Sequence, residues 1–312
     1  MSQSAPVALV TGGSGFVGSH LADLLARLGY AVRALVRRKG EHPGLGHPRI
    51  AQVEGDFVDP ETARRACDGA EVVVHSAATL GTDLDDARRV NVGGTGTLAA
   101  AARAAGCARF VHISTVSVYD WACGKSVFDE SAPLKTEVKP YPHSPAASPY
   151  YGLSKAEGER ALRSEMDQGL PATILRLGAV LGLHPTSSWS VLVPAKVRDG
   201  AISAREMEDG LLPWTHVANV AHVVRLALAT PAAAGQAYNV VDGHATLERY
   251  FRHLRSWFPE RNGERAPVES KPVTAFASHC PGDKLRFQLD YEPLVTFGEG
   301  MEEAALYWRR RA

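Results

Sequence analysis

A tyrosine and a lysine one helical turn apart are the residues of this chain best suited to chemistry. Tyr151 and Lys155 lie in the segment SPYYGLSKAEGERAL, which is predicted to be helical, and residues four positions apart share one helix face. A phenol with its ordinary pKa of about 10 is a poor acid or base near neutrality, but a neighbouring ammonium favours the phenolate and lowers that pKa. We therefore predict that Tyr151 is a general acid/base and that Lys155 activates it.

A hydroxyl at the end of a strand is the expected third member of this group. The segment RFVHISTVSVYD contains a predicted strand that ends near Thr115, and sites on doubly wound sheets lie at such strand ends. We assign to Thr115 the hydrogen bond to a substrate carbonyl oxygen, with Ser114 as the nearest alternative and Ser117 as a weaker one. A hydroxyl here can also cap a helix, so the assignment depends on Tyr151 and Lys155.

A cluster of glycines near the start of the chain predicts a turn that holds phosphate. In PVALVTGGSGFVGSHLADLL, Gly12, Gly15 and Gly18 follow a predicted strand and open a predicted helix. Glycines allow a tight turn and let the backbone approach a pyrophosphate, whose charge is stabilised by the helix N-terminus. Gly13 takes the place of Gly12 in an alternative register of the same motif. Either register predicts a dinucleotide site.

Basic residues after the second predicted strand indicate which dinucleotide binds. About 20 residues beyond the glycine turn, such sheets place either an acid on the adenosine ribose or a basic residue on a 2′-phosphate. Here the sequence reads ALVRRKG, so Arg37, with Arg38 or Lys39 behind it, can pair with the phosphate of NADP. A solvated basic turn would have the same sequence. We predict NADP as the cofactor, with NAD as the alternative, and include Phe16 and Val17 in its site.

The alternation of short apolar runs with helix-period segments predicts an α/β fold with a doubly wound parallel sheet. The predicted strands are VALV, YAVRALV, RIAQVEGD, EVVVHSAA, RFVHIS and ATILRLG. We place a Rossmann domain at residues 1–182 and a small, mostly substrate-binding lobe at 183–312, with a strand near 236–241 that returns to the first domain. Within the lobe, LLPWTHVANVAHVVRLALA is predicted to be a loop that enters a helix.

The segment 119–149 interrupts this pattern. Its prolines rule out a long regular element, and loops of this length are usually functional. Because the segment carries Trp121, Phe128 and Tyr141, we expect a moderately hydrophobic substrate.

Composition excludes several classes of function. Lys plus Arg and Asp plus Glu both number 34, so no overall field favours nucleic acid or an anionic membrane surface. The four cysteines are far apart in sequence and no basic, apolar leader is evident, so we expect a cytoplasmic protein. No apolar run is long enough to span a bilayer. We predict no metal site.

Together these motifs resemble the extended short-chain dehydrogenase/reductase superfamily, of the NAD-dependent epimerase/dehydratase type, across essentially the whole chain. The segments that carry the resemblance are TGGSGFVG, GDFVD, VVVHSAA, RRVNVGGT, HISTVSVY, YYGLSK and LRLGAVLG. The resemblance implies that Tyr151 is the general acid/base, that Lys155 activates it and bonds the nicotinamide ribose, and that Thr115 orients the carbonyl. Relatives of this type commonly pair through two helices of each chain, so a homodimer is consistent with the resemblance, while the sequence leaves the oligomeric state open.

The same resemblance implies further cofactor contacts. Asp56 and Phe57 are expected to border the adenine, and Ala77 and Ala78 to line the cofactor groove. The segment from Leu177 to Val180 is expected to touch the nicotinamide end, and Asn91 to lie in an adjoining helix. All of these positions are read from the matching motifs.

Departures from the superfamily's subtypes narrow the expected reaction. Val116 and Ser117 stand where dehydratases carry an acid pair, and Ala179 stands where sugar-nucleotide epimerases hold the diphosphate with an asparagine. We therefore predict an NADP-dependent oxidoreductase that interconverts a small-molecule ketone or aldehyde and an alcohol. The alternatives are a sugar or sugar-nucleotide epimerase with tightly bound NAD and a non-catalytic NADP-binding regulator.

Overall fold

The computed structural model describes residues 5–81, 83–138, 150–202, 210–261 and 278–311. In chain order its strands are β1 (Val7–Thr11), β2 (Ala31–Val36), β3 (Ile50–Glu54), β4 (Val72–His75), β5 (Arg109–Thr115), β6 (Ala172–Leu177), β7 (Ala179–Leu181), β8 (Leu211–His216), β9 (Ala237–Val240) and β10 (Gly243–Thr246). Its α-helices are α1 (Phe16–Arg27), α2 (Pro60–Cys67), α3 (Leu84–Arg88), α4 (Thr95–Ala104), α5 (Tyr151–Asp167), α6 (Val193–Arg198), α7 (Val217–Ala229), α8 (Leu247–Trp257), α9 (Asp283–Leu289) and α10 (Phe297–Arg309). Within the described ranges, no helix combines the length and the apolar character that crossing a membrane requires.

The larger sheet has seven strands in the order β3-β2-β1-β4-β5-β6-β9, and every neighbouring pair is parallel. From β1 the chain builds outward through β2 and β3, and it then returns to the other side of β1 to add β4. The carboxyl ends of β1 and β4 therefore flank the crevice where doubly wound sheets bind ligands. The predicted doubly wound α/β fold is confirmed.

Apolar side chains cover both faces of this sheet, as expected for parallel strands packed between helices. In β1, Val10 belongs to the apolar cluster that contains Leu21 of α1 and Val220 of α7. Leu9, the preceding residue, belongs to the opposite cluster, with Leu98 of α4. Helix α7 thus packs with the large sheet, although it follows residue 182 in the chain.

A second sheet of three strands, in the order β10-β8-β7, corrects one prediction. The segment LLPWTH was expected to be a loop, but it forms β8, and α7 follows it directly. Pro213 pairs with β10 across from His244, whereas β7 pairs with β8 only from Trp214 onward. Pro213 therefore has a strand neighbour on one side only, where its missing N–H is tolerated.

Trp121 and Phe128 of the long irregular segment are packed in the core. Trp121 is 5% exposed and Phe128 is fully buried, and their ring centroids are 4.3 Å apart. Both belong to a cluster with Tyr119, while Tyr141 lies outside the described residues. The burial of Trp121 and Phe128 removes them as an argument for a moderately hydrophobic substrate, because the long loop's sequence does not reveal which side chains turn inward.

Candidate active site

A cavity of about 500 Å³ opens at the carboxyl ends of the strands around β1 and β4. Its wall contains eleven of the positions assigned to the dinucleotide: Gly12, Gly15, Phe16, Val17, Arg37, Asp56, Phe57, Ala77, Ala78, Leu177 and Val180. Thr115 and Tyr151 lie in the same wall. Lys155 is not among the described residues that line it.

The glycine turn is shaped by close backbone contacts. Gly12 has a φ of +70°, and a Cβ there would lie 2.8 Å from the backbone of Ala77. A Cβ on Gly13 would lie 2.9 Å from the Ala34 side chain. Gly12 lines the cavity, whereas Gly13 packs against β2. The turn is therefore formed in the register of Gly12, with the Gly15 amide donating to the Gly12 carbonyl oxygen at 2.9 Å.

The helix that follows this turn fits a phosphate group. Gly15 precedes α1 without a side-chain cap, and the first turn of α1 carries no acidic residue. The first amides of a helix lack intrahelical acceptors, and the helix dipole adds partial positive charge at this end. Since Gly15 and Phe16 both border the cavity, the residues present suit the pyrophosphate of a dinucleotide.

Thr115 is placed to donate a hydrogen bond into the cavity. Its Oγ1 accepts from the Ser117 amide at 3.2 Å and caps the short helical turn Val116–Val118, which leaves its own hydroxyl proton available. Ser114, the nearest alternative, already donates to Glu159 Oε1 at 2.6 Å and is buried. The local bonding therefore favours Thr115 over Ser114.

Lys155 lies deeper than the sequence suggested. Its side chain is 1% exposed, and its Nζ donates to the Ile113 carbonyl oxygen at 2.8 Å and lies 3.2 Å from His112 Nε2. Burial lowers the pKa of Lys155 to about 8, partly offset by the Glu159 carboxylate. Burial also raises the pKa of Tyr151 to about 12. The effect of burial on the phenol pKa is thus opposite to the effect expected from the Lys155 charge.

A buried ion pair that sequence reasoning missed lies beside Lys155. Glu159, one helical turn further along α5, accepts from Arg176 of β6, with Nη2 to Oε2 at 2.7 Å, and neither side chain is more than 1% exposed. Arg176 Nη1 also donates to the Tyr119 hydroxyl at 2.9 Å. An acid four residues after Lys155 on the same helix face was the available signal, but the partner on β6 is distant in sequence.

His75 belongs to a chain of hydrogen bonds behind the cavity wall. Its Nδ1 lies 2.7 Å from Thr11 Oγ1, and its Nε2 lies 3.0 Å from Thr95 Oγ1. The Thr95 hydroxyl donates to the Asn91 carbonyl oxygen at 2.7 Å, so it accepts from His75, whose proton is therefore on Nε2. The ring is neutral because burial lowers its pKa to about 3. Thr11 Oγ1 accepts from the Ala77 amide at 3.3 Å and so positions the cavity wall.

Asn91 also helps to position the cavity wall through hydrogen bonds. It lies in a single π-helical turn, Arg89–Gly94, that leads into α4. Its side chain accepts from the Thr79 amide and donates to the Thr79 carbonyl oxygen and to Ser154 Oγ, each at 2.9 Å. Asn91 thereby ties the loop after β4 to α5, which carries Tyr151.

Charged residues at the rim include some that were not predicted. Arg37 is exposed and lines the cavity after β2. Asp86 and Arg89 also line it and form an ion pair with an oxygen–nitrogen distance of 2.8 Å. The motif RRVNVGGT contains Arg89, but its residues gave no signal of direct contact with the cavity.

A smaller cavity of about 200 Å³ adjoins the first. Thr115 and Tyr151 line both cavities, as do Phe16 and Val180. The remaining wall of the side cavity is mostly apolar and comes from the loop after β4, the turn after β5, the small sheet and the segment that follows β7. Its residues beyond the shared ones include Leu80, Val116, Ser117, Ala179, Thr186, Ser188, Trp189, Leu212 and Pro213. None of these is charged among the described residues of the wall.

Comparisons with known proteins agree with this geometry. A model of the NAD dependent epimerase/dehydratase family matches residues 8–241. The chain is 32% identical over 270 residues to the 4-hydroxy-2-methyl-3-oxo-4-farnesyl-3,4-dihydroquinoline-1-oxide ketoreductase of Stigmatella aurantiaca, which covers 85% of this chain and 76% of the relative. It is 30% identical over 345 residues to a 3 beta-hydroxysteroid dehydrogenase/Delta 5-->4-isomerase of Mycobacterium tuberculosis, covering 96% of this chain and 90% of the relative.

A solved structure extends the comparison. A short-chain dehydrogenase/reductase superfamily protein from Agrobacterium tumefaciens, with bound NAD, is similar at a TM-score of 0.77 and 25% identity over 98% of each chain. The fold and the cavity define an NAD(P)-dependent enzyme with a Rossmann sheet. The chain belongs to the NAD dependent epimerase/dehydratase family, within the extended short-chain dehydrogenase/reductase superfamily.

Proposed function

We propose that this protein is an NADP-dependent oxidoreductase that interconverts a ketone or aldehyde and an alcohol by hydride transfer. The observation that carries the proposal is that Thr115 and Tyr151 line both the dinucleotide cavity and the side cavity. A carbonyl group in the side cavity would then meet both hydroxyls where the two cavities join. The oxidoreductase class is shared with the ketoreductase and the hydroxysteroid dehydrogenase described above.

Tyr151 and Thr115 have different roles in the proposed reduction. The reduced nicotinamide, when bound, supplies the hydride that reaches the carbonyl carbon. Tyr151 donates its phenolic proton to the carbonyl oxygen, which completes the alcohol. Thr115 donates a hydrogen bond to the same oxygen and stabilises the negative charge that develops there. In the oxidative direction, Tyr151 takes the proton back.

Lys155 acts on Tyr151 through its charge. Ile113 and His112 hold the ammonium beneath the cavity wall, one helical turn from the phenol. We infer that a positive charge one helical turn away favours the phenolate that remains after proton transfer, which opposes the effect of burial on the phenol pKa. We also propose that Lys155 bonds the nicotinamide ribose, which would require its ammonium to reach past the cavity wall.

We propose NADP over NAD on the basis of Arg37. Its guanidinium lies at the rim of the cavity where β2 ends, the position that meets the adenosine ribose in this fold. Arginine pairs with phosphate oxygens through two parallel hydrogen bonds. Asp56 also lines this end of the cavity and is assigned to the adenine side, with Phe57 beside it.

An epimerase acting on a nucleotide sugar is the alternative enzyme. Such a substrate carries a diphosphate, which needs cationic side chains or clustered amides for binding. The side cavity offers hydroxyls and apolar groups but no charged side chain among the described residues that line it. The carbonyl reductase is therefore the better-supported function, and a non-catalytic regulator would have no use for Thr115 beside Tyr151.

The domain division, the cellular location and the oligomeric state are also proposals. We propose that residues 1–182 and 183–312 form the dinucleotide and substrate parts, with α7 and β9 packed in the first. We propose a cytoplasmic location because all four cysteines are free thiols, as is typical of proteins in the reducing cytoplasm. A homodimer is expected from the family resemblance and can be checked by sedimentation.

The test is an assay of cofactor oxidation over a panel of ketones, aldehydes and sugar lactones, with NADPH and NADH compared. We expect added NADPH to be oxidised in proportion to the carbonyl reduced. Copurification of tightly bound cofactor, with turnover of a UDP-sugar in the absence of added nicotinamide, would instead identify an epimerase.

A further inference from the structure

Trp189 is the largest side chain in the wall of the side cavity. It is half-buried and packs at the edge of an apolar cluster of the small lobe. It lies in a π-helical turn, Ser188–Leu192, that precedes α6. One face of the substrate cavity is therefore an indole presented by the lobe.

Residues outside the cavity hold Trp189 in place. Its ring meets Tyr250 edge to face, with centroids 5.4 Å apart and planes at 83°, and the Tyr250 hydroxyl donates to the Trp189 carbonyl oxygen. The neighbouring Ser190 accepts from Trp308 Nε1 at its carbonyl oxygen, at 3.0 Å, and from the Gly182 amide at its Oγ, at 2.9 Å. The turn is thus tied to α8, α10 and the end of β7, so the indole is pre-positioned and does not need to be ordered by substrate.

We propose that Trp189 determines substrate choice by binding an uncharged, apolar ring system attached to the reacting carbonyl. Leu80, Leu212 and Pro213 are among the other apolar residues of this wall, and ring stacking on an indole adds to the burial of apolar area. The proposal rests on the proposed carbonyl reductase and names its substrate class.

The chemistry of the wall disfavours charged substrates. A phosphate or carboxylate moved into this cavity would lose water without meeting a cation among the described lining residues, and an unpaired charge is expensive to bury. Thr186 and Ser188 can each offer a hydrogen bond to a single hydroxyl or carbonyl of the ligand. The substrate is expected to be an apolar skeleton with isolated oxygen substituents.

The experiment measures ligand binding without turnover. Calorimetric titrations are made with enzyme saturated with NADP⁺, which cannot reduce a ketone, using 2-tetralone as the bicyclic apolar probe, acetone as the small probe and UDP as the charged probe. The variants are Trp189→Ala, Trp189→Phe and Trp257→Ala. Trp257 is the matched control, because it is half-buried against the same lobe cluster but does not line either cavity.

We expect Trp189→Ala to weaken 2-tetralone binding about tenfold or more, since that loss corresponds to removing one buried aromatic contact. Acetone binding should change less than about twofold, and Trp189→Phe should restore most of the 2-tetralone affinity. In turnover with NADPH, the alanine variant should raise KM for 2-tetralone with little change in kcat. Trp257→Ala should match the wild type.

The proposal is overturned if wild-type enzyme binds UDP more tightly than 2-tetralone, or if Trp189→Ala leaves 2-tetralone affinity unchanged. Equal losses in Trp189→Ala and Trp257→Ala would also overturn it, because they would indicate a general effect on the lobe. Failure of the proposed function has a different signature: Trp189-dependent binding of 2-tetralone with no NADPH oxidation on any ketone would leave this inference standing and remove the reductase.

Discussion

The ammonium of Lys155 donates a 2.8 Å hydrogen bond to the carbonyl oxygen of Ile113, two residues before Thr115 on β5. This bond ties α5 to the strand that ends in Thr115. Tyr151 and Thr115 come from these two elements and share the cavity wall. The relative position of the two proposed catalytic hydroxyls therefore depends on a buried lysine that does not itself face the cavity.

The buried state of Lys155 predicts an unusual dependence of stability on pH. Its pKa is about 8 in the folded protein and 10.5 when unperturbed, so folding destabilises the ammonium. The penalty is complete below pH 8 and is relieved as pH rises towards 10.5, because the unfolded chain then binds more protons. At about 1.4 kcal/mol per pKa unit, the relief amounts to about 3 kcal/mol.

Urea denaturation of the wild type and Lys155→Met at several values between pH 7.5 and 10.5 measures this effect. The difference in the free energy of unfolding between the two proteins should change with pH in favour of the wild type. Parallel pH dependences would show that folding does not lower the pKa of Lys155.

Removing one partner of the buried ion pair should be far more costly than removing one at the surface. Glu159→Gln leaves the Arg176 guanidinium buried without its carboxylate, which typically costs about 3–5 kcal/mol. Glu157→Gln is the matched control on the same helix, because Glu157 pairs with Arg88 at the surface and such pairs contribute about 0–1 kcal/mol. Chemical denaturation compares the two, and similar losses would contradict the buried pairing.

Cofactor choice should change with the charge at position 37. Arg37→Asp removes a charge-assisted hydrogen bond to a 2′-phosphate and adds repulsion, so KM for NADPH should rise about 10- to 100-fold with a much smaller effect on NADH. Arg38→Asp should have a smaller effect on NADPH, because Arg38 is exposed and is not part of the described cavity wall. Equal effects of Arg37→Asp on both cofactors would remove the proposed NADP preference.

Local patterns in the sequence predicted the sheet and most of the cavity wall. The glycine turn and the strand ends are specified by neighbouring residues, so Gly12 and Thr115 could be placed before any contact was known. Elements whose structure depends on residues distant in sequence could not be predicted in this way. Strand β8 contains Pro213, and a proline normally argues against a central strand. Pro213 is tolerated there because β7 begins to pair with β8 only at Trp214.

Burial was the least predictable property. Trp121 and Phe128 lie in a segment without periodicity, so the sequence could not show that they face the core. The four-residue spacing correctly placed Tyr151 and Lys155 on one helix. It could not show that the Lys155 ammonium would donate to the Ile113 carbonyl oxygen of β5 and not line the cavity. Trp189, which lines the smaller side cavity, belongs to no motif that would have singled it out.

The most direct measurement of the central claim is the activity of Tyr151→Phe. Tyr150→Phe, one residue earlier and outside both cavity walls, is the matched control. With a ketone that the wild type reduces, Tyr151→Phe should lose about 10²- to 10⁴-fold in kcat, while the dissociation constant for NADPH stays within about twofold and Tyr150→Phe remains active. Turnover by Tyr151→Phe at the wild-type rate would contradict the account.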